Sequence, residues 1–120
     1  MPAPINLQRW TDITREPMTD LVTRQMLHGD RMTIARLELR KGATVPVHSH
    51  ANEQICMVTA GAVRFEVDGT QAVVRTGEVL HIPGGVPHSV VALEDSVAID
   101  VFSPVREDWI RGDDAYLRNA

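Results

Sequence analysis

Two histidines, His48 and His50, are separated by one residue in the stretch "HSHANEQ", and a third, His88, follows the turn-forming run "PGGVP". In an extended strand alternate residues share a face, so the first two imidazoles are presented to one side, roughly 6 to 7 Å apart along the chain. Neutral imidazole is the commonest protein ligand for transition metals, and this spacing is one that chelates them. Continued alternation puts residues 48, 50, 52 and 54 on that face and favours Gln54 over Glu53 as a further ligand. A bulge between 50 and 54 would reverse the choice. The Pro83 to Pro87 turn is rigid and aims His88 at the start of a strand. His28 and His81 lack such a setting: His28 reads as loop surface and His81 as pocket wall.

The elements that must hold these residues are short and strand-like. "RMTIARLEL", "AVRFEV" and "SVAIDVF" alternate with period two, and turn signals recur at "HGD", "RKGA", "TAGA", "VDGT", "RTGE" and "IPGGVP". This spacing predicts an all-β barrel or sandwich. Asp68 and Gly69, between "RFEV" and "QAVV", predict a two-residue hairpin tip with positive φ at both positions. Residues 104–120 predict a short helix or 3-10 turn after Pro104. In "SVAIDVF", residues Ser96, Ala98, Asp100 and Phe102 share one face, and an aspartate among apolar neighbours on a strand is unusual.

Composition narrows the function. The 120 residues, 43% hydrophobic and 23% charged, suit one domain spanning 1–120. A net charge of −4, with Lys41 the single lysine and the arginines scattered, argues against a nucleic-acid partner. No apolar run approaches the roughly 20 residues of a membrane span. A lone cysteine, Cys56, cannot form an internal disulfide, and "MPAPINLQRW" lacks the regions of a secretion signal, so a cytoplasmic protein is expected.

The spacing of these residues resembles the cupins. The first cupin motif reads here as Gly42, His48, His50, Gln54 and Gly61, with glutamine where an acid is usual, and the second as Gly77, Pro83, Gly85 and His88, with Ala92 where asparagine is usual. The motif core covers 42–92. The resemblance implies an all-β jelly-roll barrel holding one divalent metal on His48, His50, Gln54 and His88, which settles the choice against Glu53 and puts Glu53 outside the barrel. Such a shell is neutral, leaves the ion its full charge and suits Lewis-acid chemistry. Nickel, manganese, zinc, iron and cobalt all accept these donors. A homodimer is also implied, with the stretch "RWTDITREPMTDLVTRQML" as a candidate swapped strand.

"HSHANEQI" and "ALEDSVAIDVFSPVREDW" further resemble the small pectin-degradation cupins that open 4,5-unsaturated uronates. That resemblance implies catalytic roles for Asp100, Phe102 and Arg106: proton transfer by Asp100, a pocket wall at Phe102 and a bidentate grip on a substrate carboxylate by Arg106. An ion pair between Asp100 and Arg106 is the plainer alternative. Cys56 and Met57 stand where relatives often carry glycine and tyrosine, and the phase shared with Gln54 turns Cys56 toward the cavity as a small apolar filler. The expected function is a lyase or isomerase acting on a small carbonyl or sugar-acid substrate. Hydroxynitrile cleavage or decarboxylation at the same site, and ligand binding without turnover, are the alternatives.

Overall fold

Alternation and turn chemistry build the scaffold. The computed structural model describes residues 4–118, which carry ten strands: β1 (Glu16–Pro17), β2 (Val22–His28), β3 (Thr33–Leu39), β4 (Thr44–His48), β5 (Glu53–Ala60), β6 (Ala62–Val67), β7 (Thr70–Arg75), β8 (Val79–Ile82), β9 (His88–Ala92) and β10 (Ser96–Ser103). All pairings are antiparallel, in one sheet ordered β1-β2-β3-β10-β5-β8 and another ordered β4-β9-β6-β7. The two sheets close into the jelly roll. The hairpin at Asp68 and Gly69 is as expected: φ is 49° and 81°, and Val67 faces Thr70 across the tip.

Between the sheets the alternation becomes a core. Ala35, Leu39, Val58, Ile82 and Ala98 from the larger sheet meet Val45, Val63, Phe65, Val74 and Ala92 from the smaller. Each fully buried large apolar side chain contributes about 1.5 to 3 kcal/mol of transfer free energy. Gly61, the last glycine of the first motif, has a φ of +89°, and a Cβ there would run into Ser96 Oγ and the Asp95 carbonyl. The motif position is therefore steric as well as conformational.

Two short helices follow the last strand, α1 (Glu107–Ile110) and α2 (Ala115–Arg118), where a single helix or 3-10 turn was expected. They divide at Gly112, whose φ of +81° ends the first turn. Within the candidate swapped stretch, residues 22–27 pair with β3 of the same chain. No helix among the described residues is long and apolar enough to cross a membrane.

Buried charge fastens the helices to the barrel. Arg24 on β2, 1% exposed, reaches Asp114 at 2.9 Å, and Arg118 meets the same carboxylate at 3.0 Å. Burial opposes ionisation of Asp114, but hydrogen bonds from Arg118 and Arg24 hold its carboxyl below the ordinary value. A depressed acid stabilises the fold above its unfolded value and loses that contribution as pH falls through the folded one. Asp114→Asn is expected to cost about 3 kcal/mol at pH 7, because it leaves the buried Arg24 guanidinium with only the longer 3.4 Å pair to the Glu16 carboxylate. The gap to the parent, measured by urea unfolding, should narrow below about pH 4; a gap independent of pH would contradict this account.

Candidate metal centre and active site

Strand pairing brings the histidines together. His48 ends β4 and faces His88 at the start of β9, beside an irregularity between Val45 and His48. His50 lies in the link 49–52, which is not strand. Asn52, buried in that link, donates to the Pro104 and Val105 carbonyls at 2.6 and 3.3 Å, and the Gly85 N–H donates to the His50 carbonyl at 2.8 Å. Although the strand breaks, parity survives: Asn52, Gln54 and Cys56 are buried, whereas Glu53 and Ile55 are exposed.

The three side chains then converge, with one ligand atom from each lying within 4.8 Å of the others. Each Nδ1 sits against a carbonyl two residues away: His48 on Pro46 at 2.8 Å, His50 on Asn52 at 3.0 Å, His88 on Val86 at 2.9 Å. A ring nitrogen beside a carbonyl must donate, so the lone pair is left on Nε2. His50 Nε2 is buried with no hydrogen-bond partner among the described residues. Burial pushes His48 and His50 down to about 4 and also lowers His88, so all three are neutral at pH 7. Oriented, neutral imidazoles around an unsatisfied acceptor fit a divalent cation.

Gln54, opposite Phe102 and Ile82, donates from Nε2 to Asp100 Oδ1 at 3.1 Å. Its Oε1 accepts no hydrogen bond from the described residues and is left for the cavity that Gln54 lines. Asp100 is buried in β10 opposite Cys56 and Ala35. Burial raises its carboxyl above the ordinary value, and Cys56, Gln54 and the charge of Arg106 oppose that without cancelling it. Cys56 is fully buried in the same wall, where burial and the neighbouring Asp100 push its thiol far up, consistent with an inert filler.

Arg106 is the one cation lining this cavity among the described residues, and its partner is Asp108 rather than Asp100. Nε and Nη2 hold Asp108 at 3.0 and 2.8 Å, and Nη2 also donates to the Tyr116 hydroxyl at 2.8 Å. Its guanidinium carbon stacks 4.0 Å from the Trp109 ring centroid and 4.6 Å from that of Phe102. Phe102 also meets His50 edge-on at 5.6 Å. The space at the centre is about 50 Å³, room for an ion and a few waters.

Two histidines sit otherwise than expected. His81 is not a pocket wall: it points out of the barrel and pairs with Glu53 at 2.7 Å, since strand alternation turns both away from the core. His28 is not loop surface: it is the last residue of β2, half-buried, with Nδ1 bonded to Thr33 Oγ1 at 2.8 Å. Sequence reading missed Asp108, Trp109 and Tyr116. A signal existed, because the chain has only five Phe, Trp and Tyr residues, and Phe65, Phe102, Trp109 and Tyr116 all line the cavity.

A two-sheet jelly roll with three inward histidines defines a class of small barrel suited to holding a metal. The chain belongs to the cupins, matching the cupin domain family over residues 35–102. It is 32% identical over 98 residues to the pectin degradation protein KdgF of Dickeya dadantii (strain 3937), covering 79% of this chain and 89% of that protein. Among solved structures, an RmlC-like cupin from Shewanella frigidimarina superposes with a TM-score of 0.82 at 29% identity, covering 88% of this chain and 96% of that one. KdgF from Halomonas sp. superposes with a TM-score of 0.77 at 28% identity, covering 82% and 93%.

Proposed function

We propose that the chain is a metal-dependent isomerase of sugar acids that opens the ring of 4,5-unsaturated uronates. The observation that carries this reading is the meeting, in one cavity, of three neutral imidazoles, a buried carboxylate and a guanidinium. Similarity to a protein named for pectin degradation, a polymer of uronic acids, supports the substrate class. A divalent transition ion on His48, His50, His88 and Gln54 supplies a Lewis acid for a substrate hydroxyl or carbonyl oxygen.

Ring opening is an isomerisation, so protons only change place. The anomeric hydroxyl loses its proton, C1=O forms as the bond from C1 to the ring oxygen breaks, and the released enol gains a proton at C4 to become a ketone. Asp100 is the group for both transfers: its raised affinity for protons lets it take one and return it. Gln54 fixes the carboxyl by donating to Oδ1. Phe102 walls the cavity and, with Trp109, holds the guanidinium of Arg106.

The uronate carboxylate falls to Arg106. The two-pronged grip suggested by the sequence is restricted, because Nε and both Nη2 hydrogens are already engaged and only Nη1 remains. The test is to load the purified chain with each of the five candidate metals and follow loss of the enol-ether absorbance of an unsaturated uronate. Faster decay than in buffer, abolished by a chelator, is expected. Decay at the buffer rate with every metal contradicts the reading.

A further inference from the structure

The hydroxyl of Tyr116 has one hydrogen and two lone pairs. Both lone pairs are taken, by Arg106 Nη2 at 2.8 Å and Trp109 Nε1 at 3.0 Å. The phenolic hydrogen is therefore directed away from both, and no described residue accepts it. Tyr116 lines the cavity half-buried, with its ring stacked on His48 at a centroid distance of 4.5 Å. Arg106 is in the complementary condition, with two hydrogens left on Nη1.

We propose that Tyr116 is a specificity-determining residue, whose O–H and the free Nη1 of Arg106 together grip the carboxylate of the substrate. The inference rests on the sugar-acid reading and deepens it. Two donor groups held side by side by a shared hydrogen bond, with no free acceptor between them, match the two oxygens of one carboxylate. Because Asp108 already neutralises the Arg106 charge, directed hydrogen bonds rather than net charge select the anion. The central space is smaller than a sugar ring, so a uronate reaches the histidines from the side where His48, His50 and Tyr116 keep partial exposure.

The test is calorimetric titration of the zinc-loaded full chain with galacturonate, which lacks the reactive double bond, and with its methyl ester. Wild type should prefer the acid. Tyr116→Phe, which keeps the ring on His48, should weaken acid binding about tenfold or more, leave ester binding within twofold and retain zinc. Equal losses for both ligands, or no loss, overturn the proposal.

Should the variant not fold, isotope-labelled ring signals of the single tyrosine in the wild-type chain give a second readout. They should move with galacturonate and stay with the ester; an unmoved signal under saturating acid overturns the proposal. Selective loss of acid binding in a chain without uronate turnover would uphold this inference and reject the ring-opening reading. Turnover with an unaltered acid preference in Tyr116→Phe would do the reverse.

Discussion

His50→Ala is expected to lower affinity for a divalent metal by more than about 100-fold and to bring uronate turnover to the buffer rate. Loss of a partner behind a ligand already costs 10- to 100-fold, and this change removes the ligand itself. His50 is the informative choice because its Nε2 is buried and unsatisfied, whereas its backbone carbonyl still anchors Gly85 N–H in the variant. The barrel should therefore stay folded, and equilibrium dialysis against zinc separates loss of metal from loss of structure. Metal bound as tightly as by the parent would show that the imidazole cluster is only a packed core.

Asp100→Asn is the second large effect, with kcat expected to fall about 100- to 10,000-fold while metal content is unchanged. Asparagine matches aspartate in size, and its Oδ1 still accepts from Gln54 Nε2, so the amide keeps its orientation. What disappears is the exchangeable proton. A decrease confined to kcat, with KM little altered, marks a group acting in the chemical step. If kcat survives, proton transfer belongs to another group, and Asp100 serves only to aim Gln54.

The sequence made the scaffold legible wherever local rules and tertiary needs agree. Alternation in "SVAIDVF" put Ser96, Ala98, Asp100 and Phe102 on one face, and the structure buries that face. The phase from His48 to Gln54 held although 49–52 leave the strand, because Asn52 anchors the link to the Pro104 and Val105 carbonyls. Facing of isolated residues was less legible. His81 sits in an apolar run that gives no phase by itself, and only pairing with β5 shows that it meets Glu53 outside. The C-terminal contribution was hidden for a different reason. Trp109 and Tyr116 line the cavity and Asp108 holds Arg106 there, and this segment is tied to the barrel by an ion pair between Arg24 and Asp114, 90 positions apart, which no periodicity encodes. Their arrangement changes the role of Arg106 from a free clamp to a donor with one nitrogen to spare.

The most direct measurement is X-ray absorption at the zinc edge on the zinc-loaded chain. One zinc per chain, with three imidazole nitrogens at about 2.0 to 2.1 Å and a light oxygen neighbour, is the result expected. No retained zinc, or a shell without imidazole scattering, would contradict a metal held by His48, His50 and His88.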